Sequence, residues 1–175
     1  MATLREKSAM VNIARTSTQI DDPHYYRYKM PLLQVIPGGQ ISKKKRGKTI
    51  SANMSKVAKS LHRTLDELGK YLGCELATSA TSAEDGTMLL GGHFDAKILQ
   101  NLIPGYVEIF VLCPTCHLPE TMYEISTKKK RIYHKCSACG SRNAINETDH
   151  KVYRYILAQS LHNDKSSKKK KKKKK

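Results

Sequence analysis

The sequence predicts an α+β protein: a small mixed α/β domain followed by a cysteine-bounded module, with charged segments at both ends. Three observations support this class. Strand-like and helix-like segments alternate up to about residue 110, four of the five cysteines form two close pairs, and the chain ends in lysines. The predicted parts are a flexible N-terminal segment (1–22), the α+β domain (23–110), the cysteine module (111–148), a terminal helix (149–160) and a disordered lysine tail (161–175).

Two predicted strands open the domain. The apolar run "LLQVI" (32–36) predicts the first strand, and "KTISAN" (48–53) predicts its returning partner. Between them, residues 37–47 contain a proline, three glycines and four consecutive basic residues, which predicts a long exposed hairpin loop.

Two predicted helices follow. Apolar residues recur at helical spacing from Met54, and Asn53 is placed to cap that helix. Thr64 and Glu67 form a capping-box pattern, so a second, short helix is expected to begin there.

The second half of the domain predicts a hairpin, a helix and a strand. The turn "EDG" (84–86) joins "CELATSA" (74–80) to "TMLLGG" (87–92). Asp95 is expected to cap a helix that Pro104-Gly105 ends, and "YVEIFVLC" (106–113) is then expected to be a strand. The order is β-β-α-α-β-β-α-β. After the cysteine module, "HKVYRYILAQ" (150–159) predicts a helix, although a strand also fits the pattern.

The cysteine spacing predicts a metal site. Two Cys-x-x-Cys pairs are separated by 19 residues, and the four predicted ligands are Cys113, Cys116, Cys136 and Cys139. Such pairs fold as tight knuckles and together supply four thiolates to one Zn²⁺ ion. Four thiolates leave no open coordination position, so structural zinc is predicted rather than catalytic zinc, and redox chemistry is a weaker alternative. The remaining Cys74 is expected to be a buried apolar residue.

Composition and charge narrow the function. No apolar run of about 18 residues is present and residues 1–10 lack a secretory signal, so we expect a cytoplasmic protein with no membrane partner. The formal charge is +17, and residues 165–175 hold nine lysines, which leaves +8 on the other 164 residues. A basic body with a basic tail indicates a nucleic acid or a strongly acidic protein as partner. A tail that only solubilises the chain remains an alternative.

Two basic segments outside the tail are predicted to contact nucleic-acid phosphates. The first lies in the long hairpin loop, and the second lies between the cysteine pairs, where a solvated hairpin tip is the alternative. Their residues are Lys43, Lys44, Lys45 and Arg46, and then Lys128, Lys129, Lys130 and Arg131.

Enzymatic activity is not expected. "RGKT" (46–49) is similar to the end of a phosphate-binding loop, but position 42 is Ser instead of Gly, and the segment enters a strand instead of a helix. No Ser-His-Asp or paired-carboxylate pattern is visible. "HYYRYKMP" (24–31) leaves two interpretations open, since its tyrosines are either core aromatics or packing that fixes Arg27 for use outside the protein.

Several of these segments together resemble a known family. The chain is similar to the N-terminal domain of eukaryotic translation initiation factor 5 over about residues 10–158. The segments that carry the resemblance are "MVNIAR", "YYRYKMP", "KTISANMSKVAKSLHR", "KYLGCEL", "GGHFDAKILQNLIPGYVEIFVLCPTC", "CSACG" and "HKVYRYIL". The same α+β and zinc-ribbon unit occurs in the beta subunit of initiation factor 2, which is the closest alternative.

The resemblance implies an accessory factor on the small ribosomal subunit. It would stimulate GTP hydrolysis by the gamma subunit of initiation factor 2, close to initiator tRNA and mRNA. Arg27 would be the arginine supplied in trans, Lys48 and Lys70 would support it, and loop 38–47 would approach the codon. The family's helical C-terminal domain has no counterpart in these 175 residues. A beta subunit of factor 2, or a generic zinc-ribbon RNA-binding protein, remains an alternative function.

Overall fold

The computed structural model describes residues 10–14, 26–37 and 47–172, and side chains as far as residue 161. The chain divides into two compact units, Met1–Glu108 and Ile109–Lys175, which are described separately below. No helix in the described ranges is both long enough and apolar enough to cross a membrane.

A two-stranded sheet lies at the beginning of unit 1. Strand β1 (Met10–Asn12) pairs antiparallel with strand β2 (Lys29–Pro31). β1 falls within segment 1–22, for which the sequence predicts flexibility, so that prediction does not hold at residues 10–12. The reason is that the chain directly after β1 is part of the core, where Ile13 and Ala14 are almost fully buried. The rest of 1–22 lies outside the described residues.

Unit 1 also contains a four-stranded antiparallel sheet. Its strands are β3 (Val35–Pro37), β4 (Lys48–Ser51), β5 (Ala80–Ser82) and β6 (Met88–Gly91), in the order β3-β4-β6-β5. The pairing of β3 with β4 and of β5 with β6 confirms that both predicted hairpins form. The first strand of the second hairpin was misplaced, because residues 74 and 75 end a helix (Leu65–Glu75) and the strand is Ala80–Ser82 instead of 74–80.

The first predicted strand, 32–36, begins later than expected. The Asn53 side chain accepts a hydrogen bond from the Gln34 amide (2.8 Å) and donates one to the Leu32 carbonyl (2.6 Å). A side chain therefore satisfies backbone groups that would otherwise pair with a neighbouring strand. The same contacts correct the cap prediction, because Asn53 stands at the N-cap position but its side chain makes no capping bond.

Helices α1 (Met54–Ser60) and α2 (Leu65–Glu75) follow β4. The predicted start of α2 is confirmed, since Thr64 Oγ1 accepts a hydrogen bond from the Glu67 amide (3.3 Å). α2 packs closely on the sheet through glycine. A Cβ atom at Gly69 would lie 2.8 Å from the sulfur of Met88, so a larger residue there would have to displace the Met88 side chain.

Helix α3 (Ala96–Phe110) corrects the prediction for residues 96–113. Pro104 and Gly105 lie inside this helix and do not end it, and residues 106–113 do not form a strand. Burial explains the difference, because the apolar stripe continues past Pro104 at helical spacing and is nearly inaccessible to solvent. The residues of that stripe are Leu99, Ile103, Tyr106, Val107 and Phe110. Gly105 is required by close packing, since a Cβ atom there would lie 2.6 Å from the Tyr71 hydroxyl.

Unit 2 begins near the end of α3 and contains a three-stranded antiparallel sheet. Its strands are β7 (Thr121–Ser126), β8 (Arg131–Cys136) and β9 (Arg142–Ala144), in the order β7-β8-β9. Helix α4 (Lys151–Lys172) confirms the helical interpretation of this region and continues past the predicted end at residue 160. The core of unit 2 is formed by Phe110, Val111, Ile132, Ile145, Val152, Tyr153 and Ile156.

Candidate metal centre

The first cysteine knuckle is a tight backbone turn. The Cys113 amide donates a hydrogen bond to the Leu118 carbonyl (3.0 Å), and the His117 amide donates to the Cys113 carbonyl (2.8 Å). His117 has a φ of 55°, in the left-handed region that residues other than glycine rarely adopt. This turn brings Cys113 and Cys116 to the same side of the chain.

The second knuckle repeats the first in its hydrogen bonds. The Cys136 amide donates to the Ser141 carbonyl (2.9 Å), and the Gly140 amide donates to the Cys136 carbonyl (3.1 Å). Gly140 has a φ of 71° and stands where His117 stands in the first knuckle. Two unrelated stretches of sequence thus form the same turn, which follows from the shared Cys-x-x-Cys spacing.

The two knuckles bring all four predicted metal ligands together. The four sulfur atoms lie within 4.8 Å of one another. The separation is 3.8 Å between Cys113 and Cys139 and 3.6 Å between Cys116 and Cys136. Four thiolates bound tetrahedrally at about 2.3 Å from one ion would be about 3.8 Å apart. The cluster therefore has the size of a tetrahedral thiolate site, and its donor set fits a soft or borderline divalent metal.

The surroundings of the sulfur atoms favour negative charge at one edge of the cluster. Burial opposes ionisation of Cys113, but hydrogen bonds from Ser141 and from nearby backbone amides bring its pKa down to about 6. Burial and the neighbouring sulfurs raise the pKa of Cys116 to about 12. Four thiolates this close together are stable only with a cation between them, which is what a divalent metal supplies.

Ser141 is a supporting residue that the sequence did not single out. Its hydroxyl lies 3.2 Å from the sulfur of Cys113 and 3.0 Å from that of Cys139, and it also accepts a hydrogen bond from Asn143 (3.1 Å). Partners of this kind orient metal ligands. The only signal in the sequence was its place directly after Cys-x-x-Cys-Gly. The fifth cysteine, Cys74, is half-buried, whereas the sequence predicted a buried apolar residue.

Arg27 lies on the surface of a segment that is anchored on its C-terminal side. Its guanidinium is exposed and stands 5.9 Å from the centre of the Tyr28 ring. The rings of Tyr26 and Tyr28 meet edge to face at 5.6 Å, and Met30 is almost fully buried. The Tyr28 carbonyl accepts a hydrogen bond from the Ile13 amide (3.0 Å). The described tyrosines are thus half-buried packing beside an exposed arginine, and Tyr25 lies outside the described residues.

Lys48 and Lys70 are both exposed, but they belong to different layers of unit 1. Lys48 opens β4 and, two residues from Ile50, points to the same face of the sheet as that residue. Lys70 lies on the outer side of α2, which packs against the opposite face through Gly69 and Met88. The structure therefore places these two lysines on opposite sides of the sheet.

The second predicted phosphate-contacting segment forms an exposed tip. Lys128, Lys129 and Lys130 lie in the turn between β7 and β8, Arg131 begins β8, and all four are exposed. Lys130 has a φ of 50°, which fixes a tight turn. The first predicted segment, Lys43 to Arg46, lies outside the described residues, as does most of loop 38–47.

Comparison with known proteins identifies relatives over most of the chain. Residues 17–142 match the family model for the domain found in initiation factors 2B and 5. The chain is 37% identical over 151 residues to eukaryotic translation initiation factor 5 of Drosophila melanogaster, covering 85% of this chain and 31% of that protein. It is 36% identical over 152 residues to the Saccharomyces cerevisiae factor 5, covering 84% of this chain and 34% of that protein. The chain thus spans about a third of the length of these curated relatives.

Proposed function

The chain belongs to the family of the domain found in initiation factors 2B and 5, it is similar to about a third of eukaryotic initiation factor 5, and from this premise we propose its function. It acts as an initiation factor on the small ribosomal subunit and stimulates GTP hydrolysis by initiation factor 2. It does so without an active site of its own, by supplying Arg27 to the GTPase. The exposure of Arg27 on an anchored segment is the observation that carries this proposal.

Phosphoryl transfer explains why an arginine is suited to this role. Negative charge builds up on the phosphate oxygens in the transition state. An arginine supplied in trans stabilises that charge and raises the rate of hydrolysis by about 10³- to 10⁵-fold. The guanidinium is planar, always charged and able to donate two parallel hydrogen bonds. Packing of Tyr26 and Tyr28 and burial of Met30 reduce the freedom of the backbone at Arg27, so less entropy is lost when it docks.

Zinc and RNA complete the proposal. We propose that the four-cysteine cluster holds Zn²⁺ as a structural ion, which keeps unit 2 folded. The exposed tip Lys128–Arg131, with loop 38–47, contacts initiator tRNA or mRNA close to the decoding site. Lys48 and Lys70 contact the GTPase or the RNA from opposite sides of the sheet. The lysine tail binds RNA or an acidic protein.

The test is single-turnover GTP hydrolysis by initiation factor 2 on small subunits, with and without the full chain. We expect Arg27→Ala to reduce the stimulated rate by about 10³-fold or more, and Arg27→Lys to restore little of it. Ribosome binding is measured in parallel by sedimentation and should hardly change. The matched control is Lys29→Ala, which removes a neighbouring exposed cation from β2 and should have a milder effect.

Two results would contradict this proposal. Full stimulation by Arg27→Ala would mean that the arginine does not take part and that the tyrosines are ordinary packing. No stimulation by the wild-type chain, together with stable co-elution with the gamma subunit in gel filtration, would favour a subunit of factor 2.

A further inference from the structure

One face of the sheet in unit 2 is open to solvent. Along β8, buried and accessible residues alternate, with Ile132, His134 and Cys136 buried and the residues between them accessible. Side chains of directly paired residues lie on the same face of an antiparallel sheet. Pairing therefore places residues of all three strands on one surface, which we call the open ribbon face: Met122, Glu124, Arg131, Tyr133, Lys135 and Arg142.

The centre of the open ribbon face is a stacked pair. The guanidinium carbon of Arg142 lies 3.7 Å from the centre of the Tyr133 ring. At the same time Arg142 Nε bonds one Glu124 carboxylate oxygen (3.0 Å), and Nη2 bonds the other (2.9 Å). A guanidinium fixed by a ring and by a two-point carboxylate contact has little rotational freedom left. About half of the Arg142 side chain remains exposed, with a relative accessibility of 46%.

This geometry selects what the face can bind. A carboxylate from another protein would approach the edge of a guanidinium, and Glu124 already occupies two of the donors on that edge. The guanidinium face directed away from the Tyr133 ring is available to a flat partner, beside three N–H donors that Glu124 does not engage. Flat guanidinium and aromatic surfaces are platforms on which unpaired RNA bases stack.

The surrounding residues add positive charge and apolar surface. Arg131 and Lys135 flank Tyr133 on β8, so the face carries three cations against the single Glu124 carboxylate. Met122 pairs with Lys135 across the strands and is 60% exposed. Cationic side chains on both sides of a stacking platform can contact the two phosphates that flank a stacked base.

We propose that the open ribbon face binds unpaired RNA by stacking a base on the Arg142–Tyr133 pair, while Arg131 and Lys135 contact the adjacent phosphates. This site shares no residue with the Arg27 segment. It rests on the proposed function only in that an initiation factor on the small subunit encounters unpaired RNA.

The test compares two RNAs of equal charge. The full zinc-loaded chain is titrated with an unpaired RNA of about ten nucleotides and with the same RNA lacking its central bases. The lysine tail contributes equally to both affinities, because the phosphates are unchanged. We expect the wild-type chain to bind the intact RNA about 5- to 100-fold more tightly. Arg142→Lys, which keeps the charge but removes the plane, should reduce that preference to about threefold or less.

The matched control is Arg154→Lys, the same substitution at an exposed arginine of α4 outside the open ribbon face, and it should retain the preference. Bound zinc and melting temperature show that each variant is folded. An unfolded Arg142→Lys protein is replaced by Tyr133→Leu, for which the same loss is expected. Equal binding of both RNAs by the wild-type chain would overturn the proposal. An unchanged preference in the folded Arg142→Lys variant would also overturn it. So would a result in which Arg142→Lys weakens binding of an acidic peptide but of neither RNA.

The GTPase assay keeps the two proposals separate. A wild-type chain that discriminates between the two RNAs but does not stimulate hydrolysis would remove the proposed function and leave the RNA site in place.

Discussion

The two units of the chain differ in what stabilises the fold of each one. Unit 1 has a core of large apolar side chains contributed by helices and strands that are distant in sequence, such as Leu61, Leu72, Leu90 and Ile103. Unit 2 has three short strands, and its cysteine cluster joins the chain before β7 to the end of β8 and the turn beyond it. Small modules with limited apolar cores usually depend on such a crosslink. One chain thus combines a unit stabilised by burial with one that we expect to be stabilised by a metal.

Removal of the metal is the strongest way to test this difference. We expect Cys136→Ser, or a chelator added to the wild-type chain, to unfold unit 2 and leave unit 1 folded. Apparent binding free energies of structural zinc are about 10–16 kcal/mol in small peptides, which is more than a module of this size can replace. Hydrogen exchange resolved along the sequence measures the two units separately, and a metal assay should find one ion per chain in the wild type.

The fifth cysteine provides the control for that experiment. Cys74 lies on α2 in unit 1 and is outside the cluster. Cys74→Ser should leave metal content and protection of unit 2 unchanged. A wild-type chain without stoichiometric metal, or a unit 2 that remains protected in Cys136→Ser, would remove the distinction between the units.

A tightly packed contact tests the burial that holds unit 1. Gly105 lies in α3 where a Cβ atom would be 2.6 Å from the Tyr71 hydroxyl. Gly105→Ala should lower the free energy of unfolding, because overpacking costs about 1–3 kcal/mol and exceeds the gain of about 1 kcal/mol from alanine in a helix. Denaturant titration followed by helical circular dichroism measures the change.

The matched background for this test is Tyr71→Phe, which removes only the hydroxyl. In that background Gly105→Ala should become neutral or stabilising, since the clashing atom is gone. Equal destabilisation in both backgrounds would mean that α3 does not approach α2 at this point, and a double-mutant cycle gives the coupling directly.

The smallest expected effect is a pH dependence of opposite sign in the two units. Burial raises the pKa of Glu67 in unit 1, with Arg63 partly opposing it. The contribution of Glu67 to stability is therefore full below its unfolded pKa and is lost as pH rises through its folded pKa. A hydrogen bond from Arg142 lowers the pKa of Glu124 in unit 2, so its contribution is lost as pH falls instead.

Replacing each carboxylate by its amide separates these contributions. Glu67→Gln should remove the loss of unit 1 stability between acidic and neutral pH, and Glu124→Gln should leave that slope unchanged. Hydrogen exchange in unit 1 at several pH values is the measurement. A slope that is the same in Glu67→Gln as in the wild type would show that Glu67 does not change its proton affinity on folding.

The sequence predicted best where structure depends on neighbouring residues. The cysteine knuckles, both hairpins of unit 1 and the start of α2 follow from spacings of a few residues, and all are present. The predicted end of α3 was wrong. Pro104-Gly105 is a local stop signal, and tertiary burial of Tyr106, Val107 and Phe110 overrides it. The cap at Asn53 was wrong for a similar reason, because its side chain bonds the backbone about 20 residues earlier.

The residues that the sequence did not reveal act across strands. Arg142 is separated from Glu124 by 18 residues, and Tyr133 lies between them on the middle strand. Their contact depends on the register of three strands, which no short motif encodes. The tyrosine-flanked segment singled out Arg27, but family resemblance was the only source for its role on the GTPase and for Lys48 and Lys70. These roles stay predictions until the hydrolysis assay is done.

The matching turns of the two knuckles bear on how freely this chain can change during evolution. His117 adopts the backbone conformation that Gly140 adopts in the other knuckle, and a side chain there carries a conformational cost of about 1–2 kcal/mol. A bound metal would exceed that cost several-fold. Unit 2 would then tolerate substitutions at most of its positions, provided that the four cysteines are kept. Among the described residues of unit 1 there is no such ligand cluster, so each loss of packing there lowers the stability of that unit directly.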